Sequence, residues 1–383
     1  MTQNNVTLRV AWLLPTVWFY WQPSLSKFTQ LFPQTKIFTA LWSGFAQGYE
    51  NLLNIEIVGK QSFIKTSSTT TNYGSGFTSL SPKIVANLLR FKPQIIFTSS
   101  FGVWTILALL FKPLGRWRVV IAYEGSSPSV DYRHSLPRLT LRRFMVRSAD
   151  LCISNSQAGK DYLIEVLKAS PERVFSQPYE VPDLASLQAE TTNKISPSPK
   201  QTFLFVGSVT RRKGLHLLLK ACALLQEKGI TNYQLIVVGD GCERAELETF
   251  TQHHNLVENV QWEGRVDYQK IGDYFQQADV FILPTLEDTW GMVVLEAMLS
   301  GKAILCSQFA GAVEMVKEGE TGYHFDPDNI TQIAELMERF IDNPQLSITL
   351  GNQGKKLMEQ HSPEVAAKFL AQIASLAMNS RQN

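Results

Sequence analysis

Cysteine is scarce in this chain: of 383 residues four are cysteines, Cys152, Cys222, Cys242 and Cys306, scattered without any C-x-x-C spacing. That excludes a disulfide framework and a thiolate-built zinc module, and the four thiols read as reduced side chains of a cytosolic protein. A surplus of one charge is also missing. Lys and Arg total 36 against 34 Asp and Glu, a formal net charge of +2, so no global basicity calls for a nucleic-acid partner. Long apolar runs are absent as well. The longest in the first half, Gly102 to Phe111, is too short to span a bilayer as a helix, and the start, M-T-Q-N-N-V-T-L-R-V, lacks a signal peptide. Neither half contains an internal repeat, and the sequence offers no metal site.

What is present is alternation. The first half reads L-R-V-A-W-L-L, I-E-I-V, P-Q-I-I-F-T-S-S, W-R-V-V-I-A-Y-E-G and A-D-L-C-I-S-N-S as successive short strands, with helical patterns between most of them. Such a pattern predicts an α/β protein with parallel, doubly wound sheets. From Ala185 to Gln201 the composition turns polar, with two prolines in S-P-S-P, as in a linker. A chain this long suits two cores. The expected domains are 1–184, a linker 185–201, a second domain 202–360, and a C-terminal helix within 361–383.

The most informative stretch runs from Pro284 to Lys302, P-T-L-E-D-T-W-G-M-V-V-L-E-A-M-L-S-G-K. Val280 to Leu283 is a short apolar strand that Pro284 ends, and Met292 to Leu299 is apolar at helical spacing. Gly291 therefore stands where strand passes to helix, with unpaired amides open to an anion or a sugar hydroxyl. Asp288 enters that mouth, and Glu296 lies about two turns along the helix. An arbitrary Asp/Glu pair is usually solvated, but the apolar flanks here favour a lined crevice. Phe203 to Ala221, F-L-F-V-G-S-V-T-R-R-K-G-L-H-L-L-L-K-A, reads as strand, glycine turn, basic loop and helix. Tyr233 to Glu248 is a second buried strand ending in G-x-G, which lacks the third glycine of a dinucleotide fingerprint. N-V-Q-W-E-G-R-V (Asn259 to Val266), K-A-I-L-C-S (Lys302 to Ser307) and T-G-Y-H-F (Thr321 to Phe325) supply further strands.

D-T-W-G-M-V-V-L-E resembles the signature of the retaining glycosyltransferases of family four, commonly E-G-F-G-L-V-x-L-E, with Asp288 in place of the first glutamate. Adjacent Glu287 would break both the glycine position and the spacing to Glu296. The resemblance is strong from about Phe203 to Phe325. It implies a GT-B fold, two Rossmann-like domains facing a central cleft, with the donor on the second domain, the acceptor on the first and the last helix crossing back. It implies that Asp288, Thr289, Trp290, Gly291 and Met292 hold the donor sugar and that Glu296 holds the ribose hydroxyls. Lys213 and Arg212 would meet the donor diphosphate beside Gly207, Ser208 and Gly239, and Gly264, Arg265 and Val266 would meet the base. Ser208 stands where the family often has Arg. Point charges at Lys213 and Arg212 suit a leaving group that gains negative charge.

The implied activity is metal-independent transfer of a hexose, with retention, from a UDP- or GDP-sugar to a hydroxyl acceptor. The setting would be polysaccharide or glycolipid synthesis, with a glycan, lipid-linked or small acceptor and no cofactor beyond the donor as co-substrate. Two alternatives stand beside it: a sugar-nucleotide epimerase of the same fold, and a catalytically silent sugar-nucleotide-binding protein. In the first half, Glu124 occupies the place where relatives commonly carry a histidine, and a carboxylate there can accept or orient the acceptor hydroxyl's proton. Trp12, Trp18, Phe19, Tyr20 and Trp21 suit a sugar ring or a lipid and suit core packing equally. Arg133, Arg138, Arg142, Arg143 and Arg147 interleave with apolar residues, as in a helix lying on anionic lipid or a solvated basic face. The expected location is cytoplasmic, with peripheral contact at the inner face of the membrane if that helix binds lipid.

Overall fold

A computed structural model describes residues 8–65, 76–187 and 200–379, and the polar stretch 188–199 of the expected linker lies outside them. The chain divides into two units, Met1–Val181 with His361–Asn383, and Pro182–Gln360.

The first unit is built on a seven-stranded parallel sheet. Its strands are β1 (Val10–Leu13), β2 (Thr35–Thr39), β3 (Ile55–Ile57), β4 (Ile95–Ser99), β5 (Arg118–Tyr123), β6 (Leu151–Ser154) and β7 (Val174–Ser176). They lie in the order β7-β6-β5-β4-β1-β2-β3, with Val10 of β1 opposite Thr35 on one side and Ile95 on the other. Strands β1 and β6 are buried along their whole length because helices cover both faces of a parallel sheet. Successive side chains accordingly alternate between two cores. Val10, Trp12, Ile95, Phe97, Val120 and Ile153 enter one cluster, and Ala11, Leu13, Ile96, Val119, Ile121 and Cys152 enter the other.

The C-terminal helix, Pro363–Asn379, returns to the first of these clusters and packs beside the helix Gln22–Leu31. Leu370, Ile373 and Ala377 on its buried face join Trp12, Trp21 and Phe28, and Trp12 stacks on Phe97 with ring centroids 4.4 Å apart. Two of the five N-terminal aromatics, Trp12 and Trp21, are thereby core residues, whereas Trp18 is exposed.

The second unit has six parallel strands: β8 (Gln201–Val206), β9 (Tyr233–Val238), β10 (Val260–Gly264), β11 (Val280–Leu283), β12 (Ala303–Ser307) and β13 (Gly322–Phe325). Their order is β10-β9-β8-β11-β12-β13. The winding reverses between β8 and β11, which pair side by side through Phe203 opposite Val280. At such a switch point the two following loops run to opposite sides and leave a crevice at the strand ends, where open α/β sheets take their ligands. Phe203, Phe205, Leu235, Val237, Ile282 and Leu305 form the centre of the core with the helices Leu215–Glu227 and Ile330–Asp342.

Leu370 is fully buried among the aromatic residues of the first unit. Leu370→Ala is expected to destabilise that unit by about 2–5 kcal/mol through lost burial and the cavity left behind. Urea unfolding followed by tryptophan fluorescence checks this, since Trp12 and Trp21 share the cluster; an unchanged midpoint would contradict the helix's place in the core.

Candidate functional site

The loops after β8 and β11 meet at the switch point. Behind β8 a short turn, Arg211–Lys213, leads through Gly214 into the helix Leu215–Glu227; behind β11, residues 284–291 lead through Gly291 into the helix Met292–Leu299. Neither helix has a side-chain cap at its start. Two sets of unpaired amides, each at the positive end of a helix dipole, are thus presented at one crevice.

The two loops are fastened to each other by backbone and side chain. The Leu286 amide donates to the Arg212 carbonyl at 2.8 Å, and the Thr285 hydroxyl bridges the carbonyls of Arg212 and Glu287 at 3.1 and 2.9 Å. Arg212 Nη1 donates to the Glu287 carbonyl at 2.8 Å, and the Lys213 ammonium donates to the Asp288 carboxylate. Gly214 makes the approach possible. Its φ of +70° favours glycine, and a Cβ there would overlap the Pro284 carbonyl oxygen. Gly239 serves the neighbouring strand end likewise, because a Cβ at its φ of +141° would overlap the Gly207 carbonyl oxygen.

Asp288 is 5% exposed, and its carboxylate, not that of Glu287, meets Lys213. Arg212 stands 4.0 Å from the same oxygen. A buried carboxylate of this kind needs its partner, and loss of either member leaves an uncompensated charge. An ammonium held by one hydrogen bond keeps two donors for an incoming anion, and its stem is already ordered. On the far side, residues 288–290 are strapped to the segment after β12: Asp288 N donates to Phe309 O at 3.1 Å, Gly311 N to Asp288 O at 3.1 Å and Ala312 N to Trp290 O at 2.5 Å. Trp290 is buried, while Thr289 and Met292 are half-exposed.

Glu296 is 4% exposed on the helix Met292–Leu299, and the Tyr268 hydroxyl donates to it at 2.8 Å. Burial pushes its carboxyl up to about 7, against the pull of that hydrogen bond. The neighbouring strand ends lie in register: Gly207 N donates to Val238 O at 3.0 Å and Gly239 N to Gly264 O at 2.7 Å. Gly207, Gly239 and Gly264 are therefore at one edge, with exposed Ser208 and Arg265 and half-exposed Val266 beside them. Trp262 packs against the core.

All the candidate residues of the second unit thus gather at one sheet edge, whereas Glu124 belongs to the first unit, just beyond the end of β5. There it neighbours Glu180, a carboxyl 1% exposed that burial and the Glu124 charge push well above the usual range. Asn155, beyond β6, accepts the amides of Tyr179 and Glu180 at 2.9 and 3.0 Å. Neither Tyr268 nor Thr285 was singled out from the sequence: a tyrosine in D-Y-Q-K and a threonine after a proline carry no signal of their own. His216, in the first turn after Gly214, is pushed down to about 4, chiefly by burial and then by Arg211 and Lys220, and adds no charge at neutral pH.

The arginine-rich segment forms a helix, Leu136–Ser148, and much of its charge has partners inside the first unit. Arg133 pairs with Asp131 at 2.9 Å, Arg142 donates to the Tyr162 hydroxyl at 2.8 Å, and Arg143 donates twice to the Val166 carbonyl at 3.1 Å. Arg138 lies 3.9 Å from the Tyr132 ring centroid, and Arg147 is exposed. Among the described residues no helix is long and apolar enough to cross a membrane, and no group of three or more His, Cys, Asp or Glu is placed to hold a metal ion.

Residues 188–357 match the family model of the glycosyl transferases group 1. The sulfoquinovosyl transferase SQD2 of Arabidopsis thaliana is 26% identical over 296 residues, 74% of this chain and 56% of that protein. The alpha-D-kanosaminyltransferase of Streptomyces kanamyceticus is 24% identical over 233 residues, 59% of this chain and 58% of that protein. The matched stretch is thus little more than half the length of these relatives. Among solved structures, Anabaena HepE in complex with UDP superposes with a TM-score of 0.74 at 16% identity, covering 96% of this chain and 100% of that one. Sucrose-phosphate synthase from Thermosynechococcus elongatus gives 0.73 at 19% identity, covering 97% and 99%. The fold is the GT-B architecture of two Rossmann-like lobes, and the chain is related to the group 1 glycosyltransferases.

Because the Glu296 carboxyl titrates near 7 in the folded protein against 4.5 for an ordinary glutamate, the folded state retains a proton that the unfolded chain releases between those values. Its contribution to stability therefore falls as pH rises through that window and is level above it. Glu296→Gln removes this slope and should gain on the wild type by on the order of 1–3 kcal/mol between pH 4.5 and 7. Thermal unfolding of both proteins across that range tests it, and parallel curves would count against the buried, proton-holding Glu296.

Proposed function

We propose that this protein is a retaining, metal-independent glycosyltransferase that moves a hexose from a nucleoside diphosphate sugar to a hydroxyl acceptor in polysaccharide or glycolipid synthesis. The observation that carries the reading is the crevice at the β8/β11 switch point. There two uncapped helix starts and an ammonium prepositioned by Asp288 stand beside a buried carboxylate, at the place where such sheets bind nucleotides. HepE, solved with UDP on the same fold, supports a nucleoside diphosphate as the ligand class.

In this reading the diphosphate lies over the Gly207 turn and the two helix starts and takes the remaining donors of Lys213. Arg212, whose guanidinium already holds the Glu287 carbonyl, adds positive potential and keeps the loops together. As the glycosidic bond to the diphosphate breaks, negative charge grows on the leaving oxygen where Lys213 and the amides are fixed, so their stabilisation increases toward the transition state. Asp288 to Met292 hold the hexose, Glu296 accepts the ribose hydroxyls, and Gly264, Arg265 and Val266 meet the base with their backbone. A carboxylate that is neutral when empty ionises as ribose hydroxyls replace the missing solvent, which links binding to proton release below about pH 7.

The first unit holds the acceptor, with Glu124 orienting its hydroxyl. A peripheral contact with anionic lipid at the cytoplasmic face would rest on Arg138 and Arg147 with exposed Leu136, Leu141 and Phe144, since Arg133, Arg142 and Arg143 have partners within the unit.

Lys213→Ala is expected to lower kcat roughly 10²-fold, the loss typical of a group that stabilises a developing anion. Turnover of UDP- and GDP-sugars by purified protein, with folding of the variant verified by its melting curve, provides the measurement. Near-normal kcat in a folded variant would transfer the phosphate role to another cation. A second check uses isothermal titration of the donor at pH 6 in buffers of different ionisation enthalpy. Wild-type protein should release a proton and Glu296→Gln should not; equal proton release by both would remove Glu296 from the ribose.

A further inference from the structure

A large cleft in the first unit lies away from the strand ends that carry Glu124 and Asn155. It opens beside the N-terminal ends of β5 and β6, encloses about 840 Å³, and takes four of its wall residues from Lys112, Arg118, Arg147 and Arg173. Two acids, Asp150 and Glu172, share the wall. Asp150 is already saturated: Lys112 Nζ at 2.7 Å, Arg118 Nη1 at 2.8 Å and the Val119 amide at 2.8 Å all donate to it. Glu172 is fully exposed and its carboxyl is lowered first by the Ser170 hydroxyl.

The remaining cations have no such use. Arg118 Nη2 is buried without a hydrogen-bond partner among the described residues. Arg147 and Arg173 are exposed, and no ion pair or hydrogen bond occupies their guanidinium groups among the described residues. A smaller hollow of about 220 Å³ adjoins the cleft, shares Arg147 and Arg173, and adds the exposed Lys168. Solvated surface cations normally spread apart, because like charges gathered without an anion repel. Here two of them, Arg147 and Arg173, border one concavity together with Arg118, whose Nη2 is unmet, and Lys168 borders the adjoining hollow. The lining also includes the apolar Leu151, Phe175 and Leu376, the last 45% exposed.

Several donors along one cleft suit an anion with three or more acceptor oxygens better than a planar carboxylate, and guanidinium groups match phosphate oxygens two at a time. We propose that this cleft binds a phosphate-bearing small molecule, a phosphomonoester or diphosphate. Arg118, Arg147 and Arg173 hold the phosphate, and Phe175 and Leu376 lie against the apolar part of the ligand. The site is separate from the Lys213 crevice, lies in the other unit, and does not depend on the donor reading. The phosphate can come from a soluble ester or from a lipid headgroup.

The test is titration of the full chain with inorganic pyrophosphate at low salt, in the wild type and in a Lys213→Ala background that weakens the other phosphate site. Wild-type protein should bind pyrophosphate, more weakly as salt is raised. Arg147→Gln with Arg173→Gln should lose at least tenfold in that affinity while keeping its melting temperature and its UDP affinity. Both side chains are exposed, so the double variant should fold. Two further probes distinguish the sources: glucose 1-phosphate in solution, and phosphatidylcholine vesicles containing phosphatidic acid. Arginine-dependent binding of the soluble ester alone supports a metabolite site, and arginine-dependent sedimentation with the vesicles supports a headgroup site. No pyrophosphate binding in the Lys213→Ala background, or equal binding with and without the Arg147→Gln and Arg173→Gln changes, would overturn the proposal.

Discussion

The candidate site depends on one junction, the Lys213–Asp288 ion pair with the backbone bonds that fasten the β8 loop to the β11 loop. At a reversal of winding the two loops would otherwise part, since each is drawn toward a helix on its own face of the sheet. Here the contact is close enough that Gly214 can have no Cβ, and the Arg212 carbonyl accepts from both Leu286 and Thr285. Burial gives the pair its consequence. Asp288 would be costly as an isolated charge, so it holds Lys213 in place, and an ammonium ordered before the ligand arrives loses little freedom on binding.

From that junction the electrostatics of the crevice follow. Two helix starts without side-chain caps and one fixed cation favour an anion between them, whereas the buried Glu296, eight residues beyond Asp288, rejects charge until something replaces its lost solvent. A diphosphate joined to a ribose satisfies both demands in one molecule. Free phosphate would meet only the first. The buried Glu180 with half-buried Glu124 beside it gives the first unit a second, acidic character at its own strand ends, suited to hydroxyl donors rather than to phosphate.

Much of the fold was legible because parallel strands covered on both faces read as continuous apolar runs: V-F-I-L and F-L-F-V stand out without context. Strands β2 and β7 were not foreseen. T-K-I-F-T begins with polar residues, of which Thr35 is buried only by its neighbours, and Val174–Ser176 is too short for any period to show. Of the site, Asp288, Glu296, Lys213 and the glycines were readable because spacing around a strand-to-helix turn constrains them. Tyr268 was not, since it reaches Glu296 across 28 positions, and long-range pairing leaves no local pattern. The arginine-rich helix shows the converse. Its charges are conspicuous in the sequence, yet Arg142 and Arg143 are engaged by Tyr162 and the Val166 carbonyl, partners that only the folded chain supplies. Trp12 and Trp21 likewise resolve into core only once β4 and the C-terminal helix are in place.

The central claim is that a nucleoside diphosphate sugar is held at the junction of the β8 and β11 loops, and amide hydrogen exchange with and without UDP-glucose and GDP-glucose tests it most directly. With whichever donor binds, protection should rise at the helix-start amides of residues 215–216 and 292–293, which have neither a side-chain cap nor a backbone acceptor among the described residues, so that fast exchange is expected in the empty protein. The strand starts at Gln201 and Val280 should not change. Protection confined to the strand ends of the first unit, or no donor-dependent protection at either loop, would contradict the account.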